Sequence, residues 1–339
     1  MKKIIAILLT LALLLCALAG CGAAKPADAP QKGGPAIVAT IFPAWDWARE
    51  ILGDNPAGAE LTLLLDDGVD LHSYQPTVDD MVKISACDVF IYVGGESDEW
   101  VTDALATAKN PNMIVIDLLD VLGEGAKTEE TVEGMQEEEH HRHDGEDEDH
   151  DENHEEHEEE TEYDEHVWLS LKNAERFCRV IAERLGEIDP ANADAYSANA
   201  GAYCEKLAAL DARYHEAVQN AKHRTLLFGD RFPFRYLTED YGLDYYAAFS
   251  GCSAETEASF ETVIFLAEKL DELRLPAVLT IETGDGRVAE RIVETSNSKS
   301  AEVLPLDSLQ STTLRDALGG KTYLTAMEQN LAVLQKSLD

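Results

Sequence analysis

The stretch PANADAYSANAGAYCEKLAALDARYHEAVQNAK, residues 190–222, decides how the rest of the chain is organised. It is rich in helix formers, and Tyr196, Tyr203, Leu207, Leu210 and Tyr214 recur at helical spacing, which predicts one long helix. Upstream, short β-branched apolar runs at 37–41, 61–65, 88–93 and 113–117 alternate with helical patterns near 43–53, 77–86 and 97–107, and a further helix is expected near 170–186. Downstream, runs at 225–228, 243–248, 277–281 and 302–306 alternate with helical patterns near 232–240, 258–273, 286–297 and 322–338. Such alternation argues βαβ units and parallel sheets. The expected fold is therefore α/β. Two similar lobes, each a four-stranded, mostly parallel sheet flanked by helices, are joined by one long rigid helix with a ligand cleft between them. The expected boundaries are 36–189 for the N-terminal lobe, 190–222 for the linking helix and 223–339 for the C-terminal lobe.

The 339 residues are 45% hydrophobic and 27% charged, which excludes a wholly disordered chain or a polytopic membrane protein. With 66 acidic against 27 basic residues the formal net charge is -39, so the chain repels phosphate backbones and attracts cations. Nucleic acid is not expected as a partner. Between Glu137 and Glu165 stand 18 acidic residues, the single base Arg142 and six histidines: His140, His141, His143, His150, His154 and His157. This low-complexity loop, 137–163, cannot bury a core and is expected to be disordered without metal. Acidic residues alone would solvate a linker, whereas imidazoles select zinc over calcium or magnesium.

Lys2 and Lys3 precede an apolar run of sixteen residues, from Ile4 to Ala19, too short for a membrane span and suited to a secretory signal. Residues 1–20 are read as a signal peptide, and the chain is expected outside the cytoplasm. Leu18-Ala19-Gly20-Cys21 looks like a bacterial lipobox, which would make Cys21 the acylated residue that anchors the chain to the bilayer, with 21–35 as a flexible tether. The remaining cysteines, Cys87, Cys178, Cys204 and Cys252, match no zinc-knuckle or CxxC spacing and receive no function; their disulfide state is left open.

In open α/β sheets ligands sit beyond the C-terminal ends of the strands. His72 follows the second run, His166 precedes a helix, and Asp230, Glu282 and Asp307 follow strands of the second half. Imidazole and carboxylate together suit zinc, or manganese or iron if oxygen dominates. His215 and His223, on or just after the long helix, are read as solvated.

The segments Asp67-Gly68-Val69-Asp70-Leu71-His72-Ser73-Tyr74-Gln75-Pro76, Ala86-Cys87-Asp88-Val89-Phe90-Ile91-Tyr92-Val93-Gly94-Gly95 with Trp100, and Asp164-Glu165-His166-Val167-Trp168-Leu169 resemble the solute-binding lipoproteins of zinc and manganese ABC importers, the cluster A-I metal-binding family. The resemblance covers nearly the whole chain beyond the tether. It implies His72 and His166 as two ligands and Asp307, in Leu306-Asp307-Ser308-Leu309, as a carboxylate ligand. It also implies an importer permease as partner, a monomeric state and, because histidine-rich loops mark the zinc members, zinc as cargo, with manganese as runner-up. Where the family places a histidine or glutamate, alignment on Tyr241-Gly242-Leu243 places Arg231. Asp230, one residue off, Glu282 and a bound water are candidates for the fourth ligand, and Arg231 is alternatively expected to pair with Glu282 and close the cleft.

On this reading metal affinity falls as pH drops through the histidine range, near about 6.5, because ligands must be deprotonated. No turnover is expected. A secreted zinc hydrolase, with Glu282 or Asp230 as general base, is the alternative from another class, although neither HExxH nor Gly-x-Ser-x-Gly occurs. An adhesin or scaffold is a third, for which binding would be indifferent to His72 and His166.

Overall fold

A computed structural model describes residues 33–136, 162–253 and 257–339. The signal segment, Cys21 and all six histidines of the acidic loop lie outside the described residues. Among the described residues no helix is long and apolar enough to cross a membrane.

The first half runs β1 (Ala36–Ala39), α1 (Phe42–Leu52), β2 (Glu60–Leu63), α2 (Val78–Ala86), β3 (Val89–Tyr92), α3 (Trp100–Ala106), β4 (Ile114–Asp117) and α4 (Leu118–Leu122). Two helices follow, α5 (Leu171–Ile188) and α6 (Ala193–Asn220). The second half runs β5 (Thr225–Arg231), α7 (Arg235–Tyr241), β6 (Asp244–Phe249), α8 (Phe260–Leu273), β7 (Ala277–Ile281), α9 (Arg287–Thr295), β8 (Glu302–Leu306), α10 (Leu314–Leu318) and α11 (Tyr323–Leu338). The strands form two four-stranded sheets, ordered β2-β1-β3-β4 and β6-β5-β7-β8, and every pairing is parallel. Central strands are buried on both faces, as β7 is along its whole length, which is why they read as continuous apolar runs. In both sheets the order reverses beside the first strand, β1 or β5, the kind of switch point beside which open α/β sheets bind ligands.

Helix α6 spans 28 residues, about 42 Å at 1.5 Å per residue. It buries Tyr196, Tyr203, Leu207, Leu210 and Tyr214 along one stripe and packs on α1, α5 and α11. The long helix is not the only tie between the halves. Trp168 donates its indole N–H to the Ser308 carbonyl at 2.8 Å, and the Tyr323 hydroxyl donates to the Trp168 carbonyl at 2.7 Å. The Tyr214 hydroxyl on α6 donates to Met327 on α11 at 2.6 Å.

Three local readings are corrected. β5 continues through Arg231, because a register irregularity between Phe228 and Arg231 lets the strand resume its pairing with β6; Asp230 is thus in the strand and not after it. α7 starts at Arg235, three residues later than expected, since the residue before Pro233 is disfavoured in the helical region. α3 begins at Trp100, after a separate 3₁₀ turn at Glu96–Asp98. Cys87, Cys178, Cys204 and Cys252 are all free thiols.

Asp46, fully buried on α1, accepts the Tyr323 backbone N–H at 2.8 Å and so holds the start of α11. Burial raises its carboxyl to about 6, outweighing the opposing pull of the partly solvated Arg49 and of that N–H. The unfolded group titrates at about 3.8, so the folded chain holds the proton more tightly. Its contribution to stability is complete below about 3.8 and is lost as pH rises through about 6. Asp46→Asn keeps an acceptor for Tyr323 and removes the ionisation. Relative to wild type, the variant is expected to gain about 2–3 kcal/mol between pH 4 and 7, since each tenfold difference in proton affinity between the folded and unfolded chain is worth about 1.4 kcal/mol. Urea unfolding of both proteins across that range checks this; a difference independent of pH would refute it.

Candidate metal site

His72 lies in a 3₁₀ turn, Leu71–Ser73, reached from β2. Asp70 caps that turn, its carboxylate accepting the His72 backbone N–H at 3.1 Å. His72 Nδ1 lies 2.8 Å from Ser97 Oγ and 3.5 Å from Glu165 Oε2. Glu165 is itself held by the Ser97 backbone N–H at 2.8 Å. Gly95, at φ +84°, makes room for it: a Cβ there would collide with Glu165 Oε1.

His166, fully buried, is oriented by one oxygen. Asp164 Oδ1 accepts its backbone N–H at 2.9 Å and lies 3.0 Å from its Nδ1. Gly251 packs on the same ring, where a Cβ would meet His166 Cε1 at 3.1 Å.

These supports turn the two free ring nitrogens toward each other: His72 Nε2 stands 3.2 Å from His166 Nε2. With Nδ1–H directed at a carboxylate or hydroxyl, each Nε2 presents a lone pair. On that tautomer the two lone pairs converge in a buried place and form a candidate seat for a cation. Tetrahedral zinc with Zn–N of about 2.0–2.1 Å sets an N···N edge of about 3.3–3.4 Å, close to the separation found. A third ligand atom stands nearby: those of His72, His166 and Cys252 all lie within 4.8 Å of one another, the only such cluster of three or more among the described residues.

A family model described as ZnuA, the periplasmic component A of a zinc-uptake complex, matches residues 37–337. The chain belongs to the ZnuA family. Among its ZnuA-type relatives, the zinc-binding lipoprotein AdcA of Streptococcus pneumoniae serotype 4 is 30% identical over 340 residues, covering 100% of this chain and 62% of its own length. The high-affinity zinc uptake system protein ZnuA of Bacillus subtilis strain 168 is 27% identical, covering 94% of this chain and 93% of itself. The chain thus spans about three-fifths of the AdcA relative's length. Among solved structures, the Zn(II)-bound ZnuA-like domain of S. pneumoniae AdcA superposes with a TM-score of 0.67 at 26% identity, over 91% of this chain and 100% of that domain.

The other residues expected at the ZnuA-type site are engaged elsewhere. Asp307 pairs with Lys321 at 2.6 Å and accepts the Leu309 N–H. Asp230 accepts the Arg231 and Ile281 N–H groups of its own lobe, and burial raises its carboxyl. Glu282 is saturated by Ser308 and Ser311, accepting from both hydroxyls and both backbone N–H groups, and staples the turn after β8. Arg231 does not pair with Glu282 as expected. Its guanidinium reaches across to Asp70 at 2.6 Å, and a second nitrogen donates to the Ser253 carbonyl. Burial alone would raise the Asp70 carboxyl, but Arg231 outweighs it and holds the group below the usual carboxylate range.

Burial, reinforced by His166 and Arg231 against the opposing charge of Asp70, pushes the His72 imidazole down to about 3. Sequence reasoning passed over Cys252. It follows β6, where ligands were being sought, yet a site assembled from separate loops leaves no fixed spacing to recognise.

Proposed function

We propose that this chain is an extracytoplasmic binding protein, anchored through acylated Cys21, that captures one zinc ion in the cleft and hands it to the permease of an ABC importer without turnover. The observation that carries the reading is the 3.2 Å approach of His72 Nε2 and His166 Nε2, each imidazole held from behind by an outer partner. Family membership and the zinc named in its relatives support the same cargo. The manganese or iron reading needs oxygen ligands, and Asp230 and Asp307 are committed to other partners. Those commitments, with the saturated Glu282, also leave the hydrolase reading without a general base. The histidine-rich loop is proposed to collect zinc weakly and reversibly near the cleft; unchanged uptake at limiting zinc after deleting residues 137–163 would remove that part.

The test is a competitive titration of the metal-stripped full chain with zinc and manganese. One tight equivalent of zinc, undisturbed by excess manganese and distinct from weaker binding by the loop, is the expected result. Retention of manganese against zinc would transfer the assignment to the runner-up, and the absence of any tight equivalent would end the capture reading altogether.

A further inference from the structure

Cys252 stands in the turn after β6, half-buried, with its backbone N–H given to Glu129 Oε1 at 3.3 Å. The same turn lays Gly251 against the His166 ring, so the position of the sulfur is tied to that of a candidate ligand. We propose that Cys252 is a metal ligand, its thiolate joining His72 and His166 in a His₂Cys site for a borderline or soft divalent cation. The inference rests on the capture reading above and adds to it the donor that sets selectivity.

Three observations converge. First, the ligand atoms of these three residues form a cluster within 4.8 Å, whereas no carboxylate among the described residues joins it. Second, Zn–S of about 2.3 Å and Zn–N of about 2.0–2.1 Å give a tetrahedral N···S edge of about 3.6 Å. Measured from one ring nitrogen of each histidine, the sulfur therefore has at most about 1.2 Å to close from its 4.8 Å limit. Third, the position where the resemblance leads one to expect another ligand carries Arg231, which is occupied with Asp70 and has no lone pair to offer. The donor that this position fails to provide arrives instead from the neighbouring turn.

Binding then proceeds with loss of one proton from the Cys252 thiol to solvent, after which the thiolate sulfur and the two Nε2 lone pairs hold the cation. Thiolate is a soft donor and favours zinc over manganese, so selectivity resides in Cys252 as much as in the imidazoles. The fourth position is left for water or for a group of the receiving permease.

Cobalt(II) distinguishes sulfur from nitrogen ligation, because only a thiolate gives a sulfur-to-cobalt charge-transfer band in the near ultraviolet. The reduced full chain, titrated with cobalt(II), is expected to develop that band to saturation at one equivalent and to lose it on adding zinc(II). Cys252→Ser is expected to lack the band and to bind zinc at least tenfold more weakly, while Cys87→Ser keeps both properties. As a check that does not depend on how the variant folds, zinc is expected to protect Cys252 of the wild-type chain from iodoacetamide, read by peptide mapping. A one-equivalent cobalt site with visible d–d bands but no charge-transfer band, together with unprotected Cys252, would overturn the ligand and leave the histidine site standing. Loss of the d–d bands as well would overturn both this inference and the capture reading.

Discussion

Replacing Trp47 with alanine is expected to lower the unfolding free energy by about 3–5 kcal/mol, at the top of the range for any single core truncation. Trp47 is fully buried on α1, its ring set edge-on to Tyr323 at 5.1 Å and tilted against Phe177 at 5.5 Å. It thus joins α1 to α5 and to α11, the same α11 whose start is held by Asp46 and whose Tyr323 reaches Trp168. Truncation opens a cavity where three elements meet, and aromatic pairs add about 0.5–1.5 kcal/mol beyond area burial. Among the described residues the indole N–H of Trp47 has no hydrogen-bond partner, and such a group costs about 1–3 kcal/mol to bury. Trp47→Phe removes that liability along with part of the ring, so its loss should be well below that of Trp47→Ala. Urea midpoints at unchanged slope measure both. A loss under about 1 kcal/mol for Trp47→Ala would mean that the halves are held together elsewhere, for the value lies far below the range for such truncations.

The repeat of strand and helix was legible because each element is written in local sequence. Val89, Phe90 and Ile91 are buried to the last atom and read as an apolar run, and α6 advertises one buried stripe over 28 residues. Boundaries were less legible where pairing overrode local pattern. Asp230 looked like a loop residue after an apolar run, yet the resumed pairing of Arg231 with Phe249 draws it into β5 and turns its carboxylate onto Ile281. The two histidines could be named from their segments, but nothing local states that His72 meets His166 across 94 positions, or that Arg231 meets Asp70 across 161. Glu282 shows the same limit. It is a plausible ligand by type and position, and only the folded turn after β8 reveals four donors already upon it.

Removal of the His166 imidazole should affect metal binding more than any other substitution at the cleft, and the neighbouring variants should rank in a fixed order below it. His166→Ala deletes a ligand atom that already stands 3.2 Å from its counterpart, so the loss of zinc affinity is expected to exceed the roughly 10–100-fold that outer-shell substitutions cost. Asp164→Ala keeps the imidazole but frees it, since one carboxylate oxygen alone fixes both the ring and the backbone N–H; a loss of about 10–100-fold follows. Asp164→Asn retains an acceptor at Oδ1 and gives up only the charge, so its loss should be smaller than that of Asp164→Ala. His215→Ala, on the exposed face of α6 against Tyr241, should bind zinc as the wild type does. Competition against a zinc chelator orders the four. If His166→Ala bound as tightly as His215→Ala, the convergent nitrogens would be a packing feature and the cation would be held elsewhere. If Asp164→Ala alone fell to the level of His166→Ala, orientation of the ring would be worth as much as its presence, and the site would owe its affinity to the carboxylate behind the ligand.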